Sequence, residues 1–169
     1  RVISESEEIY AGPLPIEAAL DRIETLYKPY HAALTRLLAQ THVRFGRAVL
    51  IDCHSMPSSV RGQDARGRSD FVLGDRHGTS ASRALIDHAA GALSALGYKV
   101  AINRPYAGGF ITEHYGRPAK GLHALQIEIN RGLYLNEMSL QPTAGFAKLK
   151  ANLEAVIATL GRTDWSGLK

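Results

Sequence analysis

The stretch Leu50-Ile-Asp-Cys-His-Ser-Met-Pro-Ser58 decides how this chain is read. The residues that lead into it, Ala48-Val-Leu-Ile51, are short, apolar and rich in β-branched side chains, the composition of a buried strand. Asp52, Cys53, His54 and Ser55 then follow where a plain core would stay apolar. Burying an aspartate and an imidazole costs several kcal/mol unless they are paired, hydrogen-bonded or bound to a metal. The carboxyl end of a buried strand is also where open α/β sheets place their active sites. Alternation by two puts Leu50, Asp52 and His54 on one face and Val49, Ile51, Cys53 and Ser55 on the other. Asp52 and His54 therefore project together, which suits a metal-bound or catalytic imidazole oriented by its neighbours. The plainer alternative is a core histidine satisfied by a backbone carbonyl.

Working outward, Pro13 and Pro15 mark a helix entrance. Ile16, Leu20, Ile23, Leu26, Tyr27, Tyr30, Leu34, Leu37 and Leu38 recur at three- and four-residue spacing. That predicts an amphipathic helix of roughly 28 residues, with Pro29 inside it to kink or split it. Gly46 turns the chain into a strand, Ala48–Asp52. Positions 57–78 read as loop, punctuated by Gly62, Gly67, Gly74 and Gly78, and only Asp70-Phe-Val-Leu73 has strand character. A loop of this length is usually functional or mobile. Ser80 or Ser82 caps a second helix, about Ser82 to Leu96, closed by Gly97. Tyr98 to Asn103 is a strand, Arg104 to Gly109 a glycine-rich turn, and Phe110 to Gly121 mostly loop. His123 to Asn130 is a further strand, and a last helix runs from about Pro142 to Leu160. This order implies an α/β fold, a three-layer sandwich around a central mixed, partly parallel sheet, in a single domain over residues 1–169.

Composition narrows the function classes. The chain has 169 residues, 45% hydrophobic and 21% charged, which fits a globular domain rather than a disordered or fibrous one. No apolar run approaches the ~20 residues needed to span a bilayer, so no membrane partner is expected. Cys53 is the single cysteine, which excludes an internal disulfide and suits a reducing, cytoplasmic setting. The net charge is +4, with the basic residues scattered except for Arg61, Arg66 and Arg68, and without interleaved aromatics. No nucleic-acid partner is expected from that pattern, whereas a small anionic substrate suits it. Arg1 is not an initiator methionine, and Arg1 to Glu8 resembles neither a signal peptide nor a first strand. The expectation is a chain that begins partway into a larger protein.

Two further segments carry chemistry. In His123-Ala-Leu-Gln-Ile-Glu-Ile-Asn130, Ala124, Gln126, Glu128 and Asn130 share one strand face. If Glu128 is desolvated there, its pKa rises toward the range useful to a general base; if the face is solvated with Gln126 and Asn130, it does not. Alternation leaves both open. Asn103-Arg104-Pro-Tyr-Ala-Gly-Gly109 offers an amide and a guanidinium at a strand end, with glycines that admit a close backbone approach. Arginine matches a substrate carboxylate through its two-pronged fork, and a glycine turn with an exposed arginine is the bland alternative. The chain has no phosphate-loop, HExxH, CxxC or GxSxG pattern. Cys53 and His54 point to opposite faces and cannot easily form a nucleophilic pair. His31, His42 and His88 fall on helices; His77, His114 and His123 are loop or strand-edge residues that stay open as ligands.

Taken together, Asp52-Cys-His-Ser-Met-Pro-Ser58, Asp70-Phe-Val-Leu-Gly-Asp75, Asn103 to Gly109, Tyr115-Gly-Arg-Pro118 and His123 to Tyr134, with Lys28-Pro-Tyr-His-Ala-Ala-Leu34, resemble the N-formylglutamate amidohydrolase family. The motifs occur in family order over most of the chain. The resemblance implies a zinc-dependent amide hydrolase with a fold related to zinc carboxypeptidases. It implies His54 as a zinc ligand and Glu128 as the general base. Asn103, Arg104, Tyr106 and Arg131 are the substrate-binding candidates, Arg104 ahead of Arg131 as the partner of a substrate carboxylate. The family's first motif, a Pro-His-Ser-Gly-like segment carrying further ligands, precedes the long helix, and nothing like it stands before Pro13. Catalytic zinc normally takes three protein ligands. The remaining ligands are therefore expected upstream of residue 1, or the protein has lost the metal. The implied reaction is hydrolysis of N-formyl-L-glutamate to L-glutamate and formate. The alternatives are another N-acyl amino acid or small peptide amide as substrate, or a metal-free binding domain or inactive fragment.

Overall fold

β-branched and apolar residues start the first strand, but it does not stop at Asp52. In the computed structural model, which describes residues 9–59 and 68–165, β1 runs Ala48–Met56. The expected end at Asp52 is corrected by pairing: every position of β1 has a partner on β4, Leu122–Asn130, so the polar half of the segment is held extended by its neighbour's ladder. The expected arginines Arg61 and Arg66, the glycines Gly62 and Gly67, and Arg1 to Glu8 lie outside the described residues.

β2 (Phe71–Gly74) and β3 (Val100–Ile102) complete a four-stranded sheet in the order β1-β4-β2-β3. β1 and β4 are parallel, β2 and β3 are parallel, and β2 meets β4 antiparallel, so the sheet is mixed as expected. Helix α3 (Arg83–Ala95) makes the crossover between the parallel neighbours β2 and β3. Its start is set by Ser82, whose Oγ accepts from the Leu85 amide at 3.3 Å, and its end by Gly97 at φ 87°. The C-terminal helix α5 is Gly145–Arg162. Phe71, Leu73, Leu85, Ile86, Leu93, Leu125, Ile127, Leu149 and Val156 form the core between α3, α5 and one face of the sheet. The odd-numbered side chains of β4 and β1 therefore face this core, and the even-numbered ones face the other way.

The segment Phe110 to Gly121, expected to be mostly loop, is corrected. Phe110–Tyr115 is a short helix, α4, and Pro118–Lys120 is a 3-10 turn. Thr112 and Tyr115, three apart, are the residues that α4 buries. Six residues are too few for that spacing to stand out between Gly108, Gly109, Gly116 and Pro118. The Gly109 amide, ahead of α4, donates to Gln126 Oε1 on the even-numbered face of β4, so α4 starts on the face opposite α3 and α5.

Cα proximity divides the chain into two compact units, Arg1–Gln40 and Thr41–Lys169. The first holds α1 (Ile16–Arg22), a π-helical turn over Ile23–Tyr27, and the start of α2 (Lys28–Phe45). The break expected at Pro29 takes the form of that widened turn. Pro29 has no N–H for the Thr25 carbonyl, and its ring would strike that oxygen in a regular α-turn. None of the three helical segments contains a buried residue: Leu34 and Leu38 are half-buried, and the rest of the apolar stripe read from the sequence is exposed.

β2 ends where backbone meets backbone. A Cβ on Gly74 would lie 2.6 Å from both the Ala107 carbonyl carbon and the Gly108 nitrogen. Only glycine lets the turn after β3 sit against the sheet there. We expect Gly74→Ala to destabilise the protein by about 1–3 kcal/mol, the usual cost of overpacking. Urea unfolding measures this, and a parent-like midpoint would show that the turn is free to move away.

Candidate active site

The parallel register of β1 and β4 assembles the site. It places His54 opposite Glu128 and Asp52 opposite Gln126, and partners in a parallel pair point to the same face. His54 Nε2 lies 3.2 Å from Asp52 Oδ2, and His54 Nδ1 lies 3.9 Å from Glu128 Oε1. The imidazole is half exposed, at 50%, whereas the Asp52 and Glu128 side chains keep 15% and 9% of their surface. An accessible imidazole thus sits between two largely buried carboxylates. Gln126 is buried beside them, its Nε2 donating to Glu128 Oε1 at 2.9 Å and its Oε1 accepting from the Gly109 amide at 3.0 Å.

Burial decides between the two readings of Glu128. The residue is 7% exposed, and loss of solvation is the largest influence on its carboxyl, pushing its pKa above the ordinary value. The His54 imidazole works against that rise, Asp52 reinforces it, and Arg131 and the Gln126 hydrogen bond lower it. A carboxyl raised in this way holds its proton more readily than an exposed glutamate, the direction that suits a general base.

Arg131 follows β4 directly. Its Nε donates to Ser55 Oγ at 3.2 Å and its Nη2 to the Ser55 carbonyl at 3.3 Å, so the guanidinium is anchored at the carboxyl ends of the two strands. Asn103 is committed elsewhere. It donates through Nδ2 to Asp75 Oδ1 at 2.7 Å and accepts at Oδ1 from the Asp75 amide at 3.0 Å, in a left-handed backbone conformation with φ 61°. Arg104 is exposed and Tyr106 half-buried on the turn that leads to Gly109. The three open histidines do not join His54. His77 is exposed in a turn, and His114 lies on α4 stacked on Phe110 rather than in a loop. His123 is not at a strand edge but buried within β4 on the core-facing side, where Nδ1 accepts from the Ser82 amide. Burial, helped by Arg47, lowers the His123 pKa and keeps the ring neutral.

Cys53 lines an apolar cavity of about 640 Å³ on the core-facing side, with Val49, Ile51, Leu153 and Val156, away from the face that carries the carboxylates. Burial and Asp52 raise its thiol pKa, which disfavours the thiolate a nucleophile needs. The donor set bears on the expected zinc. Asp52 Oδ2 is buried without a hydrogen-bond partner among the described residues, and it lies beside His54 Nε2. Yet no group of three His, Cys, Asp or Glu residues converges on one metal position among the described residues. One imidazole and its neighbouring carboxylates do not by themselves fit a three-ligand catalytic zinc centre.

With this geometry in view, comparison with known proteins is specific. The N-formylglutamate amidohydrolase family model matches residues 1–135. This chain belongs to that family. The N-formylglutamate deformylase of Pseudomonas putida is 35% identical over 145 residues, covering 80% of this chain and 54% of that enzyme. The Pseudomonas aeruginosa deformylase is 34% identical, covering 85% and 54%. The chain thus spans about half the length of the deformylases it matches. The crystal structure of N-formylglutamate amidohydrolase from Ralstonia eutropha JMP134 superposes with a TM-score of 0.86 at 38% identity, over 95% of this chain and 58% of that one. A gene product of Agrobacterium tumefaciens shares the fold, with a TM-score of 0.63 at 20% identity over 95% and 61% of the two chains.

In this amidohydrolase-family site, sequence reasoning brought out Asp52, His54 and Glu128, and the fold brings them together. It passed over Gln126, although strand alternation had already placed that residue on the face of Glu128. The raised carboxyl pKa has a consequence for stability. The folded state holds the Glu128 proton more tightly than the unfolded chain, whose carboxyl titrates near the ordinary 4.5. The contribution of Glu128 to stability is therefore full below that pH and is lost as pH rises through the folded value. Glu128→Gln should be more stable than the parent at pH 7, with the gap closing near pH 4. Urea unfolding at the two pH values checks this, and a gap that widens on acidification contradicts the burial argument.

Proposed function

We propose that this chain carries the catalytic face of a zinc-dependent N-formyl-L-glutamate deformylase, an amide hydrolase that yields L-glutamate and formate. The observation that carries this reading is the buried Glu128 carboxylate beside the accessible His54 imidazole on one sheet face. The Pseudomonas relatives are N-formylglutamate deformylases, which supports the choice of substrate. A cytoplasmic setting and a kinship of the fold with zinc carboxypeptidases belong to the same proposal; no helix among the described residues is long and apolar enough to cross a membrane.

Zinc is the proposed metal and His54 its proposed ligand in this chain. The described residues do not complete a zinc centre, and what they supply is side-chain chemistry. Glu128 takes a proton from the water whose oxygen adds to the formyl carbon. It then delivers that proton to the amide nitrogen as the C–N bond breaks, so that formate and the free amine of glutamate leave. Arg131 pairs with a carboxylate of the substrate through the guanidinium N–H groups that Ser55 does not engage, and its charge is already felt at Glu128. Arg104, on the turn after β3, is the second cation proposed for that task. The lack of a three-residue metal-holding group among the described residues favours one second reading, a face that binds an N-acyl amino acid without turning it over.

Deformylase assays and zinc titrations separate these readings. Glu128→Gln should lower turnover about 10²–10⁴-fold, the usual range for a general base, and leave zinc uptake intact. Turnover near the parent's rate would remove Glu128 from the role. His54→Ala should weaken zinc binding, and equal affinity would remove His54 as ligand. Arg131→Ala should raise KM more than it lowers kcat. Saturable binding of N-formylglutamate without formate release, in the zinc-loaded parent, would favour the second reading.

A further inference from the structure

We propose that Gln126 is a positioning residue that fixes the Glu128 carboxylate on the reacting face by tying it to the backbone of the glycine turn after β3. The proposal rests on Glu128 as the base.

The orientation of the Gln126 amide is not a free choice. The Gly109 backbone N–H can only donate, so the oxygen of the side chain must face it, at 3.0 Å. The nitrogen then has to point the other way, toward Glu128 Oε1 at 2.9 Å. Gln126 is 5% exposed, so water is a poor substitute for either partner. The anchor at the far end is itself constrained. Gly108 adopts φ 112°, the Thr112 hydroxyl donates to the Gly109 carbonyl at 2.8 Å, and the turn rests against Gly74 at contact distances only glycine permits. The strand neighbours leave Gln126 alone in this task on the β2 side. Val72, opposite Glu128, is apolar and fully buried, and Gly74, opposite Gln126, has no side chain. His54, on the β1 side, stands at 3.9 Å from the same carboxylate oxygen, beyond hydrogen-bond length. Among the described residues the Gln126 bond is therefore the shortest polar contact of Glu128, and it connects the carboxylate to a rigid turn in two steps.

Gln126→Met keeps the length and removes both donor and acceptor. In this variant of the full chain, kcat should fall on the order of 10²-fold, the scale of a misplacement of about 1 Å, while KM changes little. A parent-like kcat, or a loss confined to KM, overturns the proposal. A second measurement does not depend on that variant folding. In the parent, the Gln126 side-chain amide protons should be protected from solvent exchange in ¹⁵N-resolved spectra, and Glu128→Ala should abolish the protection. Protection unchanged in Glu128→Ala overturns the tie. Should Glu128→Gln retain full turnover, the base assignment fails by itself, and the amide exchange still decides whether Gln126 holds the Glu128 side chain.

Discussion

The parallel pairing of β1 with β4, in the register that sets His54 opposite Glu128, is the constraint on which the rest of this structure depends. A slip of one residue would turn every side chain of β1 to the other face, sending Asp52 and His54 into the core and Ile51 and Cys53 toward the carboxylate. The apolar half of the register holds against such a slip. Val49 and Ile51 on β1, and Leu125, Ile127 and Ile129 on β4, all pack on the side of α3 and α5. The polar cluster is thus held in place by the burial of its neighbours on the opposite face, at about 25 cal/mol per Å² of apolar surface.

That arrangement takes two carboxylates largely out of water. Asp52 Oδ2 is buried without a hydrogen bond among the described residues, and Glu128 is pushed toward its neutral form by lost solvation. The imidazole between them, Arg131 and the Gln126 amide offset part of the penalty. Sites that exchange protons are built from such opposing influences, and they give up some stability to do so. The glycine turn after β3 takes part from the other side. Gly74 admits it, Gly108 bends it, and Gly109 delivers one N–H to the cluster.

Much of the fold is legible in the sequence because it rests on local rules. Ser82 and Gly97 bracket α3 through a side-chain cap and a left-handed residue, both properties of a few adjacent residues. The brief apolar run before Gly74 is a strand as expected, since β2 is central and buried. The misreadings share a cause: tertiary partners override local signals. β1 continues through four polar residues because β4 supplies the ladder, and α4 forms in a glycine-rich stretch because Thr112 and Tyr115 find a place to bury. Asn103, attractive as a free amide at a strand end, is occupied by Asp75, a residue 28 positions earlier.

The sequence by itself determined which residues could share a face. A period of two puts Asp52 with His54, and Gln126 with Glu128, whatever else the chain does. It also determined the family, through motifs in order along most of the chain. Which two faces coincide is a different matter. β1 and β4 are separated by more than sixty residues, and only the packing of α3 and α5 against the sheet selects their parallel, in-register pairing. Whether Glu128 is solvated or buried, that the Arg131 charge acts on its carboxyl, and that Gln126 bridges to Gly109 all follow from that pairing. They are long-range outcomes, set by which surfaces exclude water together, and no local pattern encodes them.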